Sequence, residues 1–189
     1  MLFVVLAACS GDSSAPPTPP ISRVDAVAPA PMKADAVDAF CDRNDAPADA
    51  RTFRLPELDG ATPAKTDKWV WVNVWATWCA PCVAEMPMIR RWADQLSAEG
   101  TPIEIRFLSV DAAAADVEKW MKTRPDAPAS MRIKDFSLVS GFLDGMGLPQ
   151  SSAIPIHAFI DPSERLRCVR TGAVNEPDYP VIKRLVTGT

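Results

Sequence analysis

The stretch KWVWVNVWATWCAPCVAEM, residues 68–86, constrains the fold of this chain more than any other. From Lys68 to Ala76 the residues Trp69, Val70, Trp71, Val72, Val74 and Trp75 follow one another with little polar alternation. That is the pattern of a central strand buried on both faces, not of one with a solvated side. From Pro81 to about Ala98, Val83, Met86, Ile89, Trp92, Ala93 and Leu96 recur at helical spacing, so a helix follows the strand almost at once. Pro87 has no amide hydrogen for the carbonyl four residues back and should bend that helix.

The rest of the chain alternates in the same way, as an α/β domain with a mixed sheet requires. Arg51 to Leu58 reads as a short strand before an Asp59-Gly60 turn, and Ile103 to Val110 as the next strand. Asp111 is placed to cap a helix starting near Ala112, with Ala113, Val117, Trp120 and Met121 on one face and a stop before Pro125. A short strand at Met131 to Lys134 and a helical turn from Ser137 to Met146 come next. Ile156–Ile160 and Arg165–Thr171, joined by Asp161-Pro162-Ser163-Glu164, read as a β-hairpin. A last helix from about Glu176 to Val186 closes over the sheet.

At 189 residues there is room for one well-buried domain with appendages. A formal net charge of -4 speaks against the basic surface that nucleic acid binding needs. No apolar run approaches the roughly 20 residues of a membrane-spanning helix. The opening MLFVVLAACSGD nevertheless resembles the lipobox of bacterial lipoprotein signal peptides, with Cys9 as the lipidated N-terminus of the mature chain. Met1 leads straight into the apolar stretch without the usual positive charge, and an ordinary secretory signal or a disordered stub is the alternative. Residues 10–38, rich in Pro, Ala, Ser and Asp, cannot bury enough surface to order themselves and read as a disordered tether. Extended at about 3.1 Å per residue, it would hold a folded domain at 39–189 several tens of Å from a membrane.

Two cysteines three apart, Cys79 and Cys82, serve either as a redox pair or as half of a metal site. At a strand-to-helix junction both fall on the first helical turn, close enough to bond. Cys79 then lies where unsatisfied amides and the helix dipole favour a thiolate, the attacking species, while Cys82 sits deeper and resolves a mixed disulfide. Pro81 suits that turn because its missing amide hydrogen is not needed there. A zinc site would have to recruit the distant Cys41 and Cys168, since the chain has one histidine and no second C-x-x-C. Copper(I) suits thiolates better, with His157 as its best additional ligand, although a lone strand histidine is more often a hydrogen-bonded structural residue.

The run VNVWATWCAPCVAEMP, with the later AIPIHAFIDPSERL, resembles the TlpA/ResA/DsbE group of thioredoxin-like proteins over about residues 52–188. Members of that group are extracytoplasmic, membrane-tethered thiol-disulfide oxidoreductases. The resemblance implies a thioredoxin-like α/β fold, a central mixed β-sheet flanked by helices, and a redox-active Cys79–Cys82 disulfide with no other cofactor. It implies catalytic roles for Cys79, Cys82, Glu85 and Pro155, and substrate contacts for Trp78, Ala80, Pro81 and Ile154. Pro155 matches the group's cis proline, which would expose the backbone of Ile154 to an extended substrate peptide; a trans proline starting an edge strand is the alternative. Glu85 matches a glutamate that influences cysteine ionisation, against the alternative of a surface glutamate favourable to the helix dipole. Asn73 stands where thioredoxin has a buried aspartate, and it cannot exchange a proton. The implied partners are protein thiols and disulfides, for example of apocytochrome c or copper-site proteins, and a membrane electron donor of the DsbD/CcdA type, all in the cell envelope.

With Cys9 lipidated and Cys79 paired to Cys82, parity suggests a structural disulfide between Cys41 and Cys168, the alternative being two unpaired thiols. Two other functions compete with the oxidoreductase. One is a module that binds copper or a maturation partner without redox turnover. The other is a peroxidase relative, which expects a peroxidatic cysteine outside a C-x-x-C pair.

Overall fold

A computed structural model of the chain describes residues 36–188 together with Met1. Cys9 and residues 10–35 of the expected tether lie outside the described residues. In chain order the elements are α1 (Ala36–Phe40), β1 (Arg43–Asn44), β2 (Trp69–Trp75), α2 (Ala80–Ala98), β3 (Ile103–Ser109), α3 (Ala114–Lys122), β4 (Ser130–Arg132), α4 (Leu138–Gly145), β5 (Ile156–Ile160), β6 (Leu166–Thr171), a 3-10 turn (Glu176–Asp178) and α5 (Tyr179–Thr187). The strands form one six-stranded sheet in the order β1-β6-β5-β2-β3-β4. β2, β3 and β4 run parallel, whereas β5 is antiparallel to both β2 and β6, and β1 to β6, so the sheet is mixed.

β2 occupies the middle, and all of it beyond Trp69 is buried. Because strand side chains alternate, Trp71, Asn73 and Trp75 share one face. There Trp71 stacks on Trp92 of α2 at 6.3 Å and meets Phe159 of β5 at 4.8 Å, while Trp75 meets Trp120 of α3 at 4.7 Å. Trp92 in turn touches Tyr179 at the start of α5. These aromatic contacts lock α2, α3 and α5 onto the sheet, and each is worth about 0.5–1.5 kcal/mol beyond the area it buries.

Three expectations need correction. Arg51–Leu58 is not a strand; it makes two isolated bridges, Thr52 with Arg165 and Leu58 with Ile133. Pro56 offers no donor for a continuous ladder, and the segment's two bridges lie at opposite sides of the sheet. Asp111 does not cap α3, whose N-cap is Ala113 without a side-chain bond. The carboxylate is buried and accepts instead from the Thr77 amide (2.9 Å), the Thr77 hydroxyl (2.7 Å) and Ser109 (2.7 Å). The parallel register sets Ser109 beside Trp75, so these donors lie nearer to Asp111 than the helix end does. Finally, α1 begins at Ala36, inside the stretch expected to be tether, because Val37 and Phe40 are both buried in the core.

Cys41, just after α1, is disulfide-bonded to Cys168 of β6 across a sequence separation of 127. The bond fastens α1 and β1 to the edge of the sheet, where Asn44 pairs with Cys168. Closing so long a loop restricts the unfolded chain strongly. Replacing both cysteines, Cys41→Ser with Cys168→Ser, is expected to lower stability by about 2–4 kcal/mol in denaturant titration. A double variant as stable as the parent would show that the bond adds nothing.

Candidate active site

The end of β2 delivers the cysteine pair. After Trp75 the chain turns through Ala76, Thr77 and Trp78 into α2, and Asp111 holds Thr77 by both backbone and hydroxyl. Cys79 is the N-cap residue of α2, and its sulfur accepts the Cys82 amide hydrogen at 3.3 Å. The two sulfurs are bonded, with the Cα atoms 5.3 Å apart. Cys79 keeps 5% of its surface exposed and Cys82 none, so of the two only Cys79 retains any contact with solvent. Trp78 beside it is 69% exposed, and Ala80 and Pro81 are also on the surface.

β5 supplies the opposite wall. Its antiparallel pairing sets Ile156 against Val74, so the residues entering β5 arrive beside those leaving β2. The Ile154–Pro155 peptide bond is cis, and the Ile154 carbonyl oxygen stands 3.9 Å from Cys79 Sγ. Ile154 is half-buried, Pro155 buried. The sequence-derived set Trp78, Cys79, Ala80, Pro81, Cys82, Ile154 and Pro155 is thus gathered at one end of the sheet. Cys41 and Cys168 belong to the separate disulfide.

One turn along α2 from Cys82 lies a buried polar cluster. Glu85 is only 4% exposed, which removes the surface reading of this residue. Its Oε1 accepts from Asn73 Nδ2 at 2.8 Å and its Oε2 from the Val174 amide at 2.9 Å. Burial nevertheless pushes the carboxyl up from 4.5 to about 7, against the lowering effect of those two donors and of Arg170. His157, opposite Asn73 in the β2–β5 register, is fully buried. Its Nδ1 accepts from Trp71 Nε1 at 3.2 Å and its Nε2 stands 3.5 Å from Glu85 Oε1. Burial pushes the imidazole down to about 3, so at neutral pH that approach joins an uncharged ring to the carboxyl and is not an ion pair.

Cys41 and Cys168 are spent on each other, and the Nδ1 lone pair of His157 is taken by Trp71. Among the described residues no group of three or more His, Cys, Asp or Glu side chains is placed to hold a metal ion. Sequence reasoning missed the service of Asp111 to the Thr77 turn. It also missed the joining of His157 to Glu85, for which the alternation of β2 and the position of His157 in the hairpin were the available signals.

Comparison with known proteins adds a family. The AhpC/TSA family matches residues 36–169. The thiol-disulfide oxidoreductase ResA of Oceanobacillus iheyensis is 34% identical over 73 residues, which cover 39% of this chain and 33% of that protein. ResA of Geobacillus thermodenitrificans is 35% identical over 74 residues, covering 38% and 41%. The chain therefore matches less than half the length of these relatives. Among solved structures, a secreted thiol-disulfide isomerase from Corynebacterium glutamicum superposes with a TM-score of 0.57 at 21% identity, over 77% of this chain and 91% of that one. The thioredoxin domain of a thiol-disulfide oxidoreductase from Bacteroides vulgatus gives 0.50 at 18% identity, over 64% and 80%. These likenesses show the fold to be thioredoxin-like, and the match over residues 36–169 shows that the chain belongs to the AhpC/TSA family.

Proposed function

We propose that this protein is an extracytoplasmic thiol-disulfide oxidoreductase working through Cys79 and Cys82. The observation that carries the reading is the asymmetry of the pair. Cys79 caps a helix beside the cis Ile154–Pro155 bond and keeps a small exposed area, while Cys82 is wholly buried behind it. In the reduced protein the Cys79 thiolate attacks a substrate disulfide, forming a mixed disulfide and releasing one substrate thiolate. The Cys82 thiolate then attacks Cys79 Sγ, releases the second substrate thiolate and closes the Cys79–Cys82 bond. Two electrons pass to the substrate, and its thiolates take up the protons that the cysteines gave up. Glu85, with its carboxyl near neutrality and one turn from Cys82, is suited to accept the Cys82 proton and pass it on.

Trp78, Ala80 and Pro81 on one side and the Ile154 backbone on the other make the substrate contact, an extended peptide pairing along Ile154. The names of the ResA relatives go no further than thiol-disulfide oxidoreductase; the resemblance of WCAPC and AIPIHAFIDPSERL to the TlpA/ResA/DsbE group is what favours a reductant, acting on cysteines of apocytochrome c or of copper-site proteins and recharged by a membrane electron donor of the DsbD/CcdA type. Lipidation at Cys9, with the stretch from residue 10 up to α1 as the tether and the thioredoxin-like domain following from Ala36, would keep the protein on a membrane of the cell envelope.

Cys79→Ser is expected to abolish reduction of a protein disulfide, and Cys82→Ser to accumulate a mixed disulfide on Cys79 visible by non-reducing electrophoresis. Full turnover by Cys79→Ser would refute the reading. Stoichiometric copper(I) binding without disulfide exchange, lost on His157→Ala, would replace it by the copper module. Glu85 predicts a further, pH-dependent signature. Between its ordinary 4.5 and about 7 the folded protein holds one proton more than the unfolded chain. Stability therefore falls as pH rises through that window, by about 3 kcal/mol in all, and levels off above it. Glu85→Gln should flatten this slope in denaturant titrations and slow exchange on the order of a hundredfold near neutral pH. An unchanged slope would remove Glu85 as the titrating group.

A further inference from the structure

The buried cluster behind the cysteines contains more than the glutamate that the exchange reaction uses. Each ring nitrogen of His157 has a different environment. Nδ1 faces two donors, Trp71 Nε1 at 3.2 Å and Asn73 Nδ2 at 3.4 Å. A nitrogen facing donors must offer its lone pair, so the proton of the neutral ring sits on Nε2. Nε2 is buried without a regular side-chain hydrogen bond and stands 3.5 Å from Glu85 Oε1, with the Gly172 backbone as the other acceptor that acts on the ring. The indole of Trp71 is itself clamped between Trp92 and Phe159, so it is not free to turn away.

We propose that His157 is a positioning residue for Glu85: Trp71 fixes its tautomer, and the fixed Nε2–H makes it a permanent donor toward the glutamate carboxylate. The inference rests on reading Glu85 as the proton site of thiol-disulfide exchange, and it says how that proton is governed. Ionised Glu85 accepts from Asn73 and the Val174 amide, and His157 Nε2 stands 3.5 Å from its Oε1 as a third donor within reach. Neutral Glu85 must instead donate its O–H, and the locked tautomer denies it the His157 nitrogen. The acceptor left beside it is Asn73 Oδ1, which is buried and unpartnered and is brought round by rotation of the amide. Asn73, unable to exchange a proton itself, thereby suits both charge states of Glu85.

The charged groups around this pair are few. α2 contributes Glu85 itself and β5 contributes His157. From β6, Arg170 lies across from His157 in register and acts electrostatically on both residues. β2 contributes Trp71 and Asn73, neither of which ionises near neutrality. Arg170 favours the ionised glutamate and disfavours a charged imidazole, in the same sense as the proposed tautomer.

The chain has a single histidine, so imidazole nitrogen NMR of the oxidised, full-length, isotope-labelled protein reads this residue alone. The expected spectrum at neutral pH is an uncharged ring protonated on Nε2, alongside a Glu85 carboxyl carbon titrating near 7. In Trp71→Phe the Asn73 amide is free to turn its unpartnered Oδ1 toward Nδ1, which releases the ring to the Nδ1–H tautomer, and Nε2 accepts from neutral Glu85. The Glu85 midpoint then rises by about one pH unit, the effect of one hydrogen bond to the neutral form. A wild-type ring protonated on Nδ1, an imidazolium, or a folded Trp71→Phe with an unmoved Glu85 midpoint would overturn the proposal. If Trp71→Phe does not fold, the wild-type tautomer decides. These measurements use no substrate, so loss of the oxidoreductase reading in a turnover assay is distinguishable from loss of this one.

Discussion

The antiparallel register of β5 against β2 is the constraint on which the rest of this protein depends. Pairing Ile156 with Val74 brings the cis Ile154–Pro155 bond alongside the residues that leave β2 for α2. Pairing His157 with Asn73 sets two polar side chains opposite each other on the face that α2 covers, where Glu85 meets them. One register therefore builds both the sulfur site at the surface and the proton site beneath it. A slip of one residue would turn His157 to the other face and move Pro155 off the cysteines together.

Holding a glutamate, an asparagine and a histidine in an interior is costly unless their polar atoms are matched. Here the surroundings are rigid aromatic surfaces: Trp71 between Trp92 and Phe159, with Trp92 carried on by Tyr179. Such packing keeps water away from Glu85 and raises its carboxyl into the range where it can both give and take a proton. The aromatic content of β2 thus contributes to stability and to proton chemistry at once. Asp111 plays the complementary part nearer the surface, fixing the turn through Thr77 so that Cys79 starts the helix where β2 ends.

What the sequence disclosed followed the strength of its local patterns. The unbroken apolar run of β2, the helical spacing after WCAPC and the turn at Asp161-Pro162 all imposed one local structure, and the strands and helix formed there as expected. Arg51–Leu58 had a strand-like composition too, but β1 and β4 hold the sheet edges and leave it no strand to pair with along its length. Asp111 had the local chemistry of a cap, and Thr77, brought beside it by the parallel pairing of β2 and β3, offered it donors that sequence spacing does not show. Glu85 could be read either way because its burial depends on which face of β2 lies beneath α2. Its connection to His157, distant in the chain, needed the register itself.

The two disulfides differ in when they can be made. Cys79 and Cys82 are 3 residues apart and can find each other as soon as that short segment exists. Cys41 and Cys168 are 127 apart, so Cys41 cannot meet its partner until almost the whole chain has been made and β6 has come to lie beside it. The protein's maturation is in this sense an ordered sequence of events written into the spacing of four cysteines.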